Sequence, residues 1–296
     1  MTNPKQLFEE LAQSTWTRLG LSWNYNISQG EETITDLLQL EIARFGPPDI
    51  YVQKMTKAHE ARSGVDWEWW VGNGRSGWLR LAVQAKKIYQ TGRYDALKHK
   101  VKKASGGVLL QHNALQRYAD ATSAVPLYCL FNHVPPAEID KNRHWHCADT
   151  FDYKQLGYTL TPVERIRQAI NNHGCRTFDF IHHNRYTVPW RCLFCSHCNG
   201  LSTLLDAAAI YSGVRPFRYR QLPGLLRYAR ETDEPFSLDR AELNQTGLLQ
   251  DFWGDSQRYY GADLQIFPRR ILMIEIDLAD VMSGSNLEDL PWRDAM

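Results

Sequence analysis

Two neighbouring segments of the sequence constrain the fold most strongly. Residues Gly64–Trp70 read GVDWEWW, and residues Leu79–Tyr89 read LRLAVQAKKIY. Both are apolar runs with strand character, and glycine-rich turn material lies between them. Side chains alternate between the two faces of a strand, so Gln84 and Lys86 share a face. We expect that face to meet Asp66 across a hairpin.

Bulk composition limits the class of protein. The chain has 296 residues, 43% hydrophobic and 23% charged, which suits a globular protein of one large or two modest domains. It contains no apolar run near the roughly 20 residues of a membrane helix. The N-terminal sequence MTNPKQLFEELAQ lacks the apolar core of a signal peptide. We therefore expect a cytoplasmic protein without a membrane partner, whose six cysteines stay reduced.

Hydrophobic periodicity in the first half predicts a mixed α/β core. A helix is followed by three strands, which can form an antiparallel meander, and a helical crossover leads to a fourth strand beside them. The predicted helices are 7–19, 31–45, 94–102 and 108–121, and the predicted strands are 50–55, 65–71, 78–89 and 125–131.

The character of the sequence changes after Asn132, where Pro135-Pro136 and a polar stretch follow. We predict a core at residues 1–134 and an accessory region at 135–296. The accessory region is expected to be mostly helical, with helices at 161–171, 201–211 and 221–230 and a late strand at 270–276. A segment rich in histidine and cysteine, 175–198, interrupts it.

The order of elements, together with Asp66 and the triplet Gln84-Ala85-Lys86, resembles the PD-(D/E)XK nuclease superfamily, which has a restriction-endonuclease-like αβββαβ core. Asp66 matches the aspartate of the motif. The triplet matches its (D/E)-x-K element with glutamine in place of the acid. Glu32 matches an acidic residue that many members carry on their first core helix. The motifs DWEWW and QAKK are also similar to an uncharacterised bacterial branch of candidate defence or mobile-element nucleases. The resemblance covers about residues 30–132.

The resemblance implies an endonuclease that depends on Mg²⁺ or Mn²⁺, both of which prefer oxygen ligands. Asp66, Gln84 and Glu32 would hold the metal, and Lys86 would orient the attacking water or stabilise developing charge. Glu60 is a further candidate for the catalytic site. Glutamine carries no charge, so the site has one negative charge fewer than the motif. A catalytically degenerate nucleic-acid-binding protein is therefore the alternative.

Local charge points to nucleic acid although the net charge is only +1. The segment 86–103 carries seven lysines and arginines against the single acid Asp95, and such patches bind phosphate backbones. Solvated surface is the ordinary alternative. The predicted nucleic-acid contacts are Lys87, Arg93, Lys98 and Gln111. We expect DNA rather than RNA, and a homodimer if both strands of a duplex are cut.

Four tryptophans, Trp67, Trp69, Trp70 and Trp78, lie in the two strand-like segments. Such rings can stack on bases, but the alternation of the strand favours packing of most of them against helices. Glu68 should share the face of Asp66, either in the site or in a surface ion pair.

Cysteines in the second half have the spacing of zinc ligands. Cys192, Cys195 and Cys198 form CxxCxxC, and Cys175 could complete a structural zinc site with them. A reduced, partly buried thiol cluster is the alternative, and a zinc-stabilised interaction module without enzymatic activity is a further one. Other candidate ligands are Cys147, His144, His146, His182, His183 and His197.

Overall fold

The fold is taken from a computed structural model, which describes residues 3–54, 65–102, 107–224, 226–227, 230, 270–282 and 287–293. In this part of the chain there are eight α-helices and eleven strands. The helices are α1 (Pro4–Asn24), α2 (Glu31–Phe45), α3 (Gln111–Thr122), α4 (Lys141–His144), α5 (Val163–Asn171), α6 (Phe178–His182), α7 (Gly200–Ala207) and α8 (Leu278–Val281). The strands are β1 (Ile50–Lys54), β2 (Trp67–Asn73), β3 (Gly77–Lys87), β4 (Lys100–Lys102), β5 (Val108–Leu110), β6 (Val125–Phe131), β7 (Tyr158–Pro162), β8 (Val188–Pro189), β9 (Arg218–Tyr219), β10 (Arg270–Glu275) and β11 (Trp292–Arg293).

Nine of these strands form one mixed sheet in the order β1-β10-β2-β3-β6-β7-β8, with β9 paired to β3 and β11 paired to β9. The hairpin β2–β3 is antiparallel, and β6 runs parallel to β3 after the crossover through α3. The mixed α/β class, the hairpin and the parallel return of the fourth strand are confirmed. The strands β4 and β5 form a separate hairpin.

The predicted antiparallel meander is wrong at its first step. Strand β10 lies between β1 and β2, antiparallel to β1 and parallel to β2. Residues 270–275 thus form an interior strand, second from the β1 edge of the sheet. A parallel neighbour must be reached through a long connection, and hydrophobic pattern alone does not reveal which strand supplies it.

The sheet crosses the boundary predicted between residues 134 and 135. Strand β6 pairs antiparallel with β7, and β7 pairs with β8. The second segment contributes five strands, β7–β11, in addition to helices α4–α8. The two predicted segments therefore share one sheet.

The tryptophans pack the sheet and do not face solvent. Trp67, Trp69 and Trp70 are each at most 2% exposed. Trp69 stacks on Trp190 at 4.8 Å between ring centroids, and Trp190 contacts Phe8 of α1 at 4.3 Å. Each buried aromatic ring contributes about 2–3 kcal/mol. Their burial supports the packing interpretation and leaves these three rings unable to stack on bases.

The segment before α3 departs from the predicted helices 94–102 and 108–121. A 3₁₀ helix spans Asp95–Lys98, and the strands Lys100–Lys102 and Val108–Leu110 pair before α3 begins at Gln111. The backbone hydrogen bonds of this hairpin outweigh the helical propensity of its lysines. As a result the basic segment forms a turn and a hairpin beside α3.

Among the described residues, none of the helices combines the length and the apolar character needed to cross a bilayer.

Candidate active site at the end of the central hairpin

Asp66 and Gln84 meet at the end of the hairpin β2–β3, as the alternation of side chains predicts. The backbone N–H of Asp66 donates to the carbonyl oxygen of Val83 at 3.0 Å, which continues the strand pairing to this point. Asp66 Oδ2 accepts a hydrogen bond from the backbone N–H of Ala85 at 2.9 Å. Gln84 Nε2 donates to the same oxygen. The aspartate is therefore fixed by the strand that carries the glutamine and the lysine.

Lys86 lies two residues along the same face and is 4% exposed. Its Nζ is 2.9 Å from Glu31 Oε2, and the backbone N–H of Lys87 donates to Glu31 Oε1 at 3.2 Å. Glu31 and Glu32 occupy the first turn of α2, where the helix dipole stabilises carboxylates. The partner of Lys86 is thus Glu31, while Glu32 lines the same cavity. Sequence reasoning selected only the second of these two adjacent acids.

These side chains surround a cavity of about 240 Å³. Its charged and amide-bearing lining residues are Glu31, Glu32, Asp66, Lys86, Arg270, Gln84 and Gln111. At ~30 Å³ for each water molecule of the liquid, this space can hold a hydrated cation together with a phosphate group. Three acidic and two basic side chains therefore face one small cavity, which suits the binding of ions.

Removal from bulk water raises the pKa of the Asp66 carboxyl, and the nearby Lys86 ammonium and the Ala85 N–H partly oppose that rise. A carboxylate held in this way is costly to keep charged without a cation. A bound cation would lower the free-energy cost of keeping Asp66 charged.

Gln111, at the first position of α3, completes a line of polar side chains. Its Nε2 donates to Gln84 Oε1 at 2.8 Å, and the residue is 8% exposed. Gln111 Oε1 is buried and has no hydrogen-bond partner. A buried acceptor without a donor is unusual in a folded protein. Carboxylate and amide oxygens are the ligand types that Mg²⁺ and Mn²⁺ prefer, so the residues present fit such an ion.

Besides Glu31, two further ionisable residues of the cavity were not identified from the sequence. Arg270, from β10, is 1% exposed and donates through Nε to Gln39 Oε1 at 3.2 Å and through Nη2 to Asp36 Oδ1. The exposed His99 lines the cavity just after the 3₁₀ helix. Arg270 follows no motif and reaches the site only through the inserted strand. His99 lies within the basic segment, which was the available signal.

The remaining side chains predicted to contact nucleic acid differ in whether they are already bonded within the protein or exposed to solvent. Lys87 Nζ donates to the carbonyl oxygen of Gln29, and burial lowers its pKa. Arg93 donates to the carbonyl oxygen of Gly174 at 3.2 Å. Lys98 is exposed at the end of its 3₁₀ helix. Glu60 lies outside the described residues.

Glu68 takes neither of the roles considered for it. It is fully buried and accepts hydrogen bonds from Arg80 Nη2 at 2.8 Å, Tyr118 Oη at 2.6 Å and Trp70 Nε1 at 2.8 Å. This buried network joins β2 and β3 to α3. It supports the sheet from which the site is built, and none of its members lines the cavity described above.

The cysteine cluster has a different membership from the predicted one. The Sγ atoms of Cys147, Cys192 and Cys198 lie within 4.8 Å of one another, and Cys147 Sγ is 3.0 Å from Cys198 Sγ. Cys195 Sγ is 2.6 Å from Cys198 Sγ. Three buried or half-buried thiols at this separation could hold a metal ion.

Cys175 is the wrong member of the predicted set. Its recorded hydrogen bond is a 3.7 Å contact to the carbonyl oxygen of His173, and it does not belong to the group of thiols that could share a metal. Cys147, from the loop after α4, takes its place. Sequence spacing identifies two of the three clustered cysteines, Cys192 and Cys198, but cannot choose between Cys175 and Cys147 as their partner from a distant part of the chain.

Comparison with known proteins gives one family match. The profile of a family described as "Family of unknown function (DUF6615)" matches residues 4–273. No curated protein and no solved structure matches the chain.

Proposed function

We propose that this chain, which belongs to the DUF6615 family, is a metal-dependent nuclease that hydrolyses phosphodiester bonds of DNA. The observation that carries the proposal is the meeting of Asp66, Gln84 and Lys86 with the two acids of α2 around one cavity. The residues are drawn from two strands and a helix, so their convergence is not a consequence of sequence proximity.

In this proposal Asp66 and Glu32 provide carboxylate oxygens for Mg²⁺ or Mn²⁺, and Gln84 provides its amide oxygen. When bound, such an ion supplies a more acidic water and neutralises charge that develops on the phosphate. The Ala85 N–H holds Asp66 in place at 2.9 Å from Oδ2. That contact fixes one carboxylate oxygen and orients the other.

Lys86 and Glu31 form the second functional pair. Glu31 Oε2 lies 2.9 Å from Lys86 Nζ and holds this ammonium group beside the cavity. A fixed ammonium stabilises negative charge that builds up on the phosphate during attack. Arg270 adds a second cation on the same cavity.

The DNA backbone would approach across the basic segment beside the cavity. Lys98, Lys100 and Lys102 are exposed there, and exposed lysines bind phosphates in a salt-dependent manner. Contacts to phosphates position a duplex without reading its bases, so this surface supports a substrate class and not a recognition sequence.

The direct test is cleavage of plasmid, linear duplex DNA, single-stranded DNA and RNA with Mg²⁺ or Mn²⁺ and with EDTA. We expect metal-dependent cleavage of DNA that is lost in both Asp66→Ala and Lys86→Ala. Asp120→Ala, on the exposed side of α3, is the control that should keep full activity. Cleavage that survives in Asp66→Ala, or in EDTA, would refute the proposed site.

One observation favours a second candidate, a degenerate nuclease that only binds nucleic acid. Gln84 is neutral and presents its Nε2, not its oxygen, to Asp66. This candidate predicts salt-sensitive DNA binding without cleavage by the wild-type protein. Cleavage gained in Gln84→Glu, which restores the acid of the motif, would identify such a binder.

We also propose that the cysteine cluster holds a structural Zn²⁺ with Cys147, Cys192 and Cys198 as ligands; Cys195, whose Sγ is 2.6 Å from Cys198 Sγ but which lies outside that group of three, is the candidate for the fourth. Four thiolates are a common ligand set for structural zinc. Zn–S bonds of about 2.3 Å separate the sulfur atoms of a tetrahedral site by ~3.8 Å, and the Sγ atoms of Cys147, Cys192 and Cys198 all lie within 4.8 Å of one another. A cation at its centre would bind the loop after α4 to the segment that precedes α7.

The test of the zinc site is elemental analysis of the purified protein and of two matched variants. Cys147→Ser should lose zinc and melt at a lower temperature, whereas Cys175→Ser should keep the zinc content and stability of the wild type. Equal zinc contents in the two variants would contradict the ligand set. Absence of zinc from the wild type would leave a reduced thiol cluster.

A further inference from the structure

The buried amides of Gln84 and Gln111 form a chain that ends on Asp66. Gln111 Nε2 donates to Gln84 Oε1 at 2.8 Å, and Gln84 Nε2 donates to Asp66 Oδ2. Gln84 Nε2 also donates to the carbonyl oxygen of Ala85 at 3.1 Å. The Gln84 NH₂ group thus donates to two oxygens, those of Asp66 and Ala85. The Gln84 amide oxygen points away from Asp66 and accepts from Gln111.

This arrangement has two consequences for a cation site. An amide NH₂ group has no lone pair to offer a hard cation, so Gln84 in this orientation cannot be a ligand. The arrangement also leaves Gln111 Oε1 buried without a donor. Such an acceptor has lost its hydrogen bonds to water without a replacement, which is unfavourable.

Reversing Gln84 turns its oxygen toward the cation, and reversing Gln111 with it gives the relocated Gln84 Nε2 an acceptor, while Gln111 Nε2 takes the buried position that Oε1 holds now. Gln84 Oε1 would then occupy the position beside Asp66 Oδ2 and the Ala85 carbonyl oxygen. Gln84 Nε2 would donate to Gln111 Oε1, which is the atom that has no partner now. Without a cation the reversed form is unfavourable because it brings three oxygens together; with a cation those oxygens are ligands.

We propose that divalent-cation binding reverses the Gln84 and Gln111 amides together, and that Gln111 is a positioning residue that holds the Gln84 oxygen on the ion. The inference rests on the cation site of the proposed function. It assigns Gln111 to the metal site, whereas the sequence analysis expects it to contact nucleic acid. It also explains how a neutral glutamine serves in place of an acid.

The first test measures Mn²⁺ affinity on metal-free protein by isothermal titration calorimetry. Gln111→Met keeps the size of the side chain and removes both hydrogen-bonding groups. We expect its dissociation constant to rise about tenfold or more, the effect typical of a lost partner of a metal ligand. Gln116→Met is the matched control, because Gln116 lies on the same helix outside the cavity and should leave the affinity unchanged.

A second variant covers the case in which Gln111→Met disturbs the fold. Gln111→Glu can accept a hydrogen bond from Gln84 Nε2 but, as a carboxylate, cannot donate one. It therefore stabilises the reversed orientation, and we expect Mn²⁺ to bind at least as tightly as to the wild type. Weaker binding by Gln111→Glu would mean that donation to Gln84 is what matters, and would overturn the proposal.

The second readout is the set of side-chain amide signals in ¹H–¹⁵N spectra, assigned with the Gln84 and Gln111 variants. Titration with Mg²⁺ should shift both pairs of amide signals with one midpoint. A shift of the Gln84 signals alone would overturn the coupled reversal. So would a failure of the wild-type protein to bind Mn²⁺ or Mg²⁺.

The outcomes separate this inference from the nuclease proposal. Cation binding that depends on Asp66 and Gln111, with no cleavage of any nucleic acid, would refute the nuclease proposal and support the amide reversal. Cleavage that depends on Asp66, with unchanged Mn²⁺ affinity in Gln111→Met, would support the nuclease proposal and refute the amide reversal.

Discussion

Replacing Gln84 with glutamate should destabilise the metal-free protein and make its stability depend on Mg²⁺. Gln84 Nε2 donates to Asp66 Oδ2, so the substitution exchanges a hydrogen bond for a contact between two carboxylates. Gln84 is 1% exposed, so water screens that contact poorly. The new repulsion also acts on a carboxylate whose pKa burial already raises.

The size of the effect follows from Coulomb's law. Two unit charges ~4 Å apart at an effective dielectric constant of ~20 interact by about 4 kcal/mol. The Lys86 ammonium and water in the cavity offset part of this. We expect Gln84→Glu to lower the free energy of unfolding by ~2–4 kcal/mol in EDTA, which corresponds to ~3–6 °C in melting temperature for a chain of this size. A cation between the two carboxylates converts the repulsion into attraction, so excess Mg²⁺ should recover the whole loss.

The assay is thermal unfolding followed by circular dichroism at about pH 8, where both carboxyl groups tend to ionise. Gln6→Glu is the matched control. Gln6 Nε2 donates to Glu10 Oε1 at 3.0 Å between exposed side chains of α1, so the same exchange occurs in water. It should cost only ~0.2–0.5 kcal/mol and should not respond to Mg²⁺. Equal melting temperatures for Gln84→Glu and wild type in EDTA, or a loss that Mg²⁺ does not reverse, would refute the reasoning.

Three further predictions concern charged groups in and near the site. Burial raises the pKa of Asp66 in the folded protein, so metal-free protein should lose stability as pH rises from about 3.9, the pKa of the unfolded carboxyl, through the raised folded pKa. Melting temperatures measured across this range should show the loss in the wild type and not in Asp66→Asn. The same pH profile for both proteins would contradict the prediction. Arg80→Met should cost ~3–5 kcal/mol in denaturant unfolding because it leaves the Glu68 charge buried without its cation, and a cost below ~1 kcal/mol would show the pair to be dispensable. Arg270→Gln should lower the free energy of unfolding by less, ~1–3 kcal/mol, because its partner Asp36 is 42% exposed. It should nevertheless reduce DNA cleavage more than Arg80→Met does. The reverse order of cleavage activities would remove Arg270 from the site.

The parts of the site that the sequence predicts are those set by local periodicity. Asp66, Gln84 and Lys86 meet because a hairpin with one-residue alternation permits one register that keeps Trp67 and Trp69 buried. Local pattern also gives both acids at the start of α2. It cannot decide which of them faces Lys86, since that depends on the rotation of a helix against a sheet.

The parts that the sequence does not predict depend on distant segments. Arg270 enters the cavity because β10 inserts beside β2, and Cys147 joins the cysteine cluster because the loop after α4 folds back on it. Both contacts join residues separated by many elements of structure. Their formation reflects packing and closure of long loops, which no pattern within a short window encodes.

The insertion of β10 between β1 and β2 also has a consequence for how the chain folds. Strands β1 and β2 can form early, but each leaves an unpaired edge until residues 270–275, roughly 200 positions later, arrive between them. Contacts of such separation form slowly, and an open pair of hydrophobic strand edges invites association with other chains. A chain that ends before Arg270 should therefore aggregate as it leaves the ribosome instead of folding to a smaller soluble protein.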